Sequence, residues 1–377
     1  MPTERPRRGA LISLAALLLL SPLAGCNTLG PRSLRTGRSL YNEAIAQTQN
    51  EQVLLNLVRL RYRDAPVFLE VSTVATTYEI ETGASSSLAA GLNLSQGPPG
   101  SNSIGAGLSG TYTERPTMTM IPLQGERFAT RLLSPIRLRV LALMANSGWS
   151  LDRLLAVTVQ RLGPLPNAPS ASGPTPTSAP EFDEFRRFAA ALRELQQKHD
   201  LTLAMVRDSD DSGGGDVALE FQDAALDDPA YADAMSLLGL DPAARVRRIV
   251  FSTDQSARPG TIPITTRSLL SAMFYLSHAV EPSNKDLERG VVTQTFGDEG
   301  DPFDWSRVLG AYFRVRSGGD RSSSAGPSIR YRGRWYWIDD SDLTSKSTLN
   351  VLHQLFALQS GQIENVGPVL TIPVTGG

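Results

Sequence analysis

The chain is short of cysteine, lysine and histidine, and each shortage closes off a class of chemistry. Of its 377 residues one is cysteine, Cys26, so no disulfide can form within the chain and no thiolate cluster can hold a metal. Only Lys198, Lys285 and Lys346 are lysines, so arginine carries almost all the positive charge, and the net balance is −2. A nucleic-acid partner, which needs a basic face, is not expected. No lysine follows a glycine, which removes the Gly-Lys-Ser/Thr phosphate loop. The residues three before the lysines are Leu195, Pro282 and Leu343, so the serine–lysine motif is absent, as is a Gly-x-Ser-x-Gly elbow. His199, His278 and His353 lie far apart, each in or beside an expected helix, and read as solitary side chains rather than a metal trio. Long apolar runs are missing too. The stretch from Ala10 to Leu20, broken by Ser13, is eleven residues, well short of the roughly 20 needed by a membrane-crossing helix.

That stretch belongs to an export signal. Arg5, Arg7 and Arg8 form a basic start, the apolar core follows, and Ser21-Pro22 and small residues lead to Leu23-Ala24-Gly25-Cys26. The segment resembles a bacterial lipoprotein signal, whose Leu-Ala-Gly-Cys box it matches residue for residue. The resemblance implies cleavage before Cys26, a diacylglyceryl group on its sulfur and acylation of the new amino group. Two or more acyl chains hold a protein stably on a bilayer, so the lipid bilayer becomes the first expected partner. A lipidated Cys26 also excludes thiol catalysis. Asn27, rather than aspartate, follows the cysteine; by the Gram-negative sorting pattern this implies the outer membrane, facing the periplasm, more than the inner membrane. Loss of residues 1–25 removes three arginines and Glu4 and takes the net charge to −4.

Apolar content of 41% and charge of 20% are ordinary for globular chains and leave enough to build sizeable cores. The expected organisation is a signal peptide at 1–25, a tether at 26–38, an N-terminal α+β region at 39–162, a Pro-rich linker at 163–180 and a C-terminal α+β domain at 181–377. The linker expectation rests on six prolines and no charge in 163–180. Helices are expected at 39–62, in three pieces between Gly125 and Leu162, and at 181–198, 229–238, 267–280 and 343–358. Strands are expected from Val67 to Thr82, at 201–206, 217–221 and 246–252, and at 369–374, where Pro373 points to a sheet edge. Ser328–Arg332 and Arg334–Ile338 read as a tight hairpin turned at Gly333. The fold class is α+β, with helices on small, mostly antiparallel sheets.

Residues 86–113 form the least ordinary stretch. Leu88, Ala90, Leu92 and Leu94 alternate with small or polar residues, as do Ile104, Ala106, Leu108 and Tyr112, around a turn at 96–102 rich in Gly and Pro. This is the pattern of a long glycine-rich hairpin, and also of strands that cross a membrane barrel. A lone hairpin cannot span lipid, so a barrel needs one hairpin from each of several subunits. Its architecture would look like that of the curli-type secretion lipoproteins, with which no sequence motif is shared.

The remaining motifs fail their context. Gly105-x-Gly107-x-x-Gly110 matches the dinucleotide fingerprint but no helix follows it. Asp208–Gly213 begins like a calcium loop, yet its twelfth position is Leu219 and Glu220 falls one residue late. Asp298, Glu299, Asp301 and Asp304 read as solvated charge, and Asp339, Asp340 and Asp342 as the polar start of the last helix. Tyr331, Trp335, Tyr336 and Trp337 are expected to fill a core rather than form a stacking platform. The runs from Leu54 to Asp64 and from Tyr331 to Asp340 are similar to uncharacterised proteobacterial lipoproteins, a likeness that implies no activity. The function expected is that of a non-enzymatic envelope scaffold or assembly component. It would work through contacts with an envelope protein or with itself, without cofactor, metal or catalytic residues. The alternatives are an oligomeric outer-membrane pore or secretion component built from 86–113 and, behind it, a periplasmic hydrolase.

Overall fold

The structure, a computed structural model, describes residues 26–89, 103–174, 176, 178–206, 216–253 and 260–360. The export signal, the Gly/Pro turn at 96–102, most of the acidic loop at 208–216 and the expected strand at 369–374 lie outside them. The class is α+β, as expected: ten α-helices are described beside sheets of two, six and three strands. No helix among the described residues is long and apolar enough to cross a membrane.

Contacts divide the chain into two compact units, one of 1–66 with 125–377, the other of 67–124. This division differs from the expected one at 163–180. In the larger unit, β3 (Val159–Leu162) and β4 (Leu165–Pro166) pair across a tight turn. β3 also pairs with β8 (Thr261–Thr266), so residues on both sides of the Pro-rich segment share one sheet. The segment itself is packed: Leu165, Asn167, Ala168 and Ala171 are buried. Its prolines have a place in that sheet, because β4 is an edge strand, where Pro166 owes no hydrogen bond to a neighbour.

The six-stranded sheet runs in the order β4-β3-β8-β7-β6-β5, with β5 (Leu201–Met205), β6 (Val217–Phe221) and β7 (Arg248–Ser252) antiparallel in turn. Only β7 and β8 pair parallel. Helices α4 (Leu151–Thr158), α5 (Asp183–Gln197) and α6 (Pro229–Leu237) pack together beside it. On α5, Phe185, Phe188, Ala189, Leu192 and Leu195 recur every three or four residues and are all buried. Each large apolar side chain so placed contributes about 1.5–3 kcal/mol.

Helix α1 (Cys26–Arg61) continues through the residues read as a tether and ends in the larger unit's core. Its last turns bury Leu54, Leu57, Val58 and Arg61, which share one helix face. That end packs on α7 (Leu269–Ser277) and on β10 (Ala325–Tyr331). Between α1 and α4 in sequence lie α2 (Glu126–Leu133) and α3 (Leu138–Asn146). After α7 come α8 (Asn284–Glu288), α9 (Ser306–Leu309), β9 (Arg316–Gly318), β10, β11 (Arg334–Asp339) and α10 (Leu343–Ser360). The order in the three-stranded sheet is β10-β11-β9. Tyr331 pairs with Arg334, so the hairpin turns on Arg332 and Gly333, with φ of 48° and 82°. Two positive φ values in a two-residue loop define the type I′ turn, whose twist matches that of the strands.

The smaller unit holds β1 (Leu69–Ala89) and β2 (Ser103–Pro122), paired antiparallel from Leu69–Pro122 to Ala89–Ser103 with one irregularity at Val71–Thr73. The tip of the expected glycine-rich hairpin, 90–102, is not among the described residues. The Gly105–Gly110 motif lies within β2, strand on both sides.

Candidate functional site

The larger unit contains a cavity of about 450 Å³ between the end of α1, the segment after α7 and the stretch around α9. That volume lies in the range of small-molecule sites. Arg61 reaches it from α1, His278 from the C-terminal end of α7, and Thr295, Phe303, Trp305 and Phe313 complete most of the wall. Arg61, His278, Thr295, Trp305 and Phe313 are buried, whereas Glu281, Asp304 and Arg314 are exposed at its rim.

Each wall residue is held by local structure. Arg61 is the seventh residue after Leu54 on a face otherwise apolar, so the helix carries it inward. Its Nη1 donates to the Thr293 carbonyl at 2.9 Å, and Arg63 Nε donates to Thr293 Oγ1 at 2.8 Å. Arg61 Nε has no acceptor, and no carboxylate pairs with this guanidinium among the described residues. Burial lowers its pKa to about 10, so it remains a cation at neutral pH. The His278 ring stacks on Trp305 at 4.2 Å between centroids and 15° between planes. Neither of its ring nitrogens has a partner. Burial, aided by the Arg61 charge, takes its pKa down to about 3, so the imidazole is neutral. Trp305 Nε1 donates to Thr295 Oγ1 at 3.2 Å, and that hydroxyl donates to the Pro176 carbonyl at 2.8 Å. The floor is therefore one buried cation, one neutral imidazole and aromatic surface.

Next to it, a hydroxyl and carboxylate network ties α1 to the β10–β11 hairpin. Tyr62 Oη donates to Asp286 Oδ2 at 2.8 Å and lies 2.6 Å from Tyr336 Oη. Burial and these two bonds raise the Tyr62 pKa above the ordinary phenol value. The Tyr331 hydroxyl donates to Asp64, and Arg332 Nη2 donates to the same carboxylate oxygen at 2.8 Å. These two donors hold the Asp64 carboxyl below the usual carboxylate range. The Arg332 guanidinium also sits over the Tyr62 ring, 4.8 Å from its centroid. The runs 54–64 and 331–340 are thus in contact through side chains.

A second buried cation has a structural role. Arg267 donates to the carbonyls of Ala156 at 2.9 Å, of Val159 at 2.5 Å and of Asn167, and its Nε to Ser172 Oγ at 3.1 Å. It lies 3.9 Å from the Tyr275 centroid. These carbonyls include the open C-terminal end of α4, where a cation offsets the helix dipole.

The sequence-derived sites sort as follows. Cys26 opens α1, and nothing in the geometry bears on its acylation. The three histidines are on separate elements: His199 is exposed after α5, His278 lines the cavity, and His353 in α10 lies 2.9 Å from Asn50 Oδ1. No group of three or more His, Cys, Asp or Glu side chains suited to a metal ion occurs among the described residues. Asp304 accepts from Ser306 N at 2.8 Å and Oγ at 2.7 Å at the start of α9. Asp342 does the same for Ser345, at 2.9 and 2.6 Å, at the start of α10. Asp342 thus caps the last helix, as its polar start led us to expect. Asp304, read as solvated charge, instead lies one residue before the Trp305 N-cap of α9 and bonds to Ser306. Tyr336 is fully buried, while Tyr331, Trp335 and Trp337 are half-buried. Sequence reasoning missed the cavity. The signal it could have used is Arg61 at the buried spacing Leu54, Leu57, Val58, Arg61. Compared with known proteins, the chain matches no family model, no curated protein and no solved structure.

Proposed function

We propose that this chain is a lipid-anchored, non-enzymatic assembly component of the bacterial envelope, joined to further copies of itself by strand addition along β1 and β2. The observation that carries the reading is the two-stranded ribbon. Its arms are 21 and 20 residues long and, among the described residues, no third strand pairs with either. Each outer edge then offers a row of backbone N–H and C=O groups, the usual template for pairing with another chain. A two-stranded sheet is also marginal by itself and gains most from a third strand. The Leu-Ala-Gly-Cys box supports the anchor at Cys26 and an outer-membrane, periplasm-facing location. Confinement to a membrane raises the local concentration of copies, so a weak edge contact suffices.

A second reading, an outer-membrane pore, draws on the alternation at 86–95 and 104–113. Strand length weighs against it as an account of the whole ribbon. At ~3.3 Å per residue the arms extend about 70 Å, whereas ~10 tilted residues cross a bilayer. Mass spectrometry of the mature chain should find acyl groups on Cys26; an unmodified thiol there removes the anchor. Deletion of 67–124 should abolish self-association, and unchanged oligomers would end both readings. The two separate on the body with Cys26→Ser: strand addition gives oligomers in water without detergent, a barrel only in detergent.

A further inference from the structure

We infer that the cavity floored by Arg61 and walled by Trp305 and Phe313 binds a small amino-acid-like zwitterion: a carboxylate, an apolar body and an amino group. This inference rests on the larger unit alone and is independent of the assembly reading.

The strongest observation is the Arg61 guanidinium. It presents five N–H donors, yet its only acceptor among the described residues is the Thr293 carbonyl. A buried cation without a counter-charge is costly, and proteins pair such groups or leave them for a ligand. Arg267, the other buried arginine among the described residues, shows the contrast: five acceptors surround it. Arg61 faces 450 Å³ of open space instead. A carboxylate in that space would satisfy the free donors with charge-assisted bonds. His278 does not compete for the anion, because it is neutral, and its unpartnered nitrogens mark the same place as short of hydrogen bonds.

The rest of the ligand follows from the walls. Phe303, Trp305, Leu309 and Phe313 provide apolar surface beyond the floor. At the mouth, Glu281 and Asp304 are exposed carboxylates, with Arg314 beside them and Arg307 close enough to act on Asp304. Glu281 has no ion-pair partner among the described residues and can take an ammonium group at the outer end. The order from floor to mouth is therefore carboxylate, apolar body, amine.

Isothermal titration calorimetry on the mature chain in detergent tests this with four probes: phenylalanine, N-acetylphenylalanine, phenylalaninamide and inorganic phosphate. Phenylalanine should bind with a Kd at or below about 1 mM. The acetylated probe, lacking the cation, should bind several-fold more weakly, and the amide, lacking the carboxylate, at least about tenfold more weakly. Arg61→Lys should weaken phenylalanine by about tenfold, because an ammonium lacks the planar fork. Glu281→Gln, on the exposed rim, should weaken phenylalanine while leaving N-acetylphenylalanine unchanged. Should Arg61→Lys fail to fold, the probe ranking and Glu281→Gln still decide. Absence of phenylalanine binding, an amide that binds as tightly as phenylalanine, or phosphate that binds more tightly overturns the inference.

Discussion

His278 combines two properties that make it a pH-sensitive weak point. It is buried against Trp305, with the Arg61 cation close enough to add to the effect of burial on its pKa. The folded chain therefore holds this imidazole neutral down to about pH 3, while the unfolded chain protonates it near 6.5. Below 6.5 the unfolded state binds more protons, so stability falls as pH drops from that value towards 3. Between pH 7 and pH 5 the single group should cost about 2 kcal/mol. His353 has its pKa lowered by burial as well and shares the sign of this effect. The clean measurement is thus a difference: urea unfolding of the native chain and of His278→Phe, each at pH 7 and pH 5. The phenyl ring keeps the stack on Trp305 and does not titrate. The native chain should lose about 2 kcal/mol more than the variant over that interval; equal losses would show that His278 is not held neutral.

At the scale of elements, the β10–β11 hairpin shows what local sequence can carry. Aromatic and β-branched residues on both sides of Arg332-Gly333 mark two strands and the turn between them, and the structure pairs Tyr331 with Arg334. Gly333 has φ of 82° and open space around a would-be Cβ, so Gly333→Ala meets backbone strain and no clash. Chemical denaturation should show a loss of about 1 kcal/mol for that variant, with little further loss for Gly333→Leu. A much larger loss for leucine would mean that the turn is packed. The helices between Gly125 and Leu162 were legible up to their ends, and the last was not: α4 stops at Thr158, where the chain becomes β3. The competing signal is tertiary, because β3 joins the six-stranded sheet by pairing with β8, about a hundred residues later. The segment 163–180 reads as a linker, yet its Leu165–Pro166 pairs on β3 at the sheet edge and Asn167, Ala168 and Ala171 are buried. Composition reports that the segment lacks charge and is rich in proline; it does not report which partner covers it. The cavity was hidden for a related reason. Arg61 betrays its burial through helical spacing, but Trp305 and His278 come from segments more than two hundred residues away.

At the scale of the whole molecule, the division into 1–66 with 125–377 and 67–124 turns on how the chain leaves and re-enters the larger unit. The ends of the ribbon are adjacent: Leu123 N donates to the Phe68 carbonyl at 2.9 Å, and Leu69 faces Pro122 in register. A segment whose ends already meet can be removed without opening a gap, since the closure entropy of the short link that replaces it is small. The larger unit also keeps its own complete core, from Leu54 and Val58 on α1 to Leu352 and Leu355 on α10. Replacing 67–124 by a short Gly/Ser link should therefore leave a protein that unfolds cooperatively on heating, with a Tm close to that of the intact chain. The buried His278 should stay neutral in it, so its pH dependence should match as well. Loss of the cooperative transition would mean that the larger unit depends on the ribbon to fold, and the ribbon would then be part of the core architecture rather than an arm free to pair with other copies.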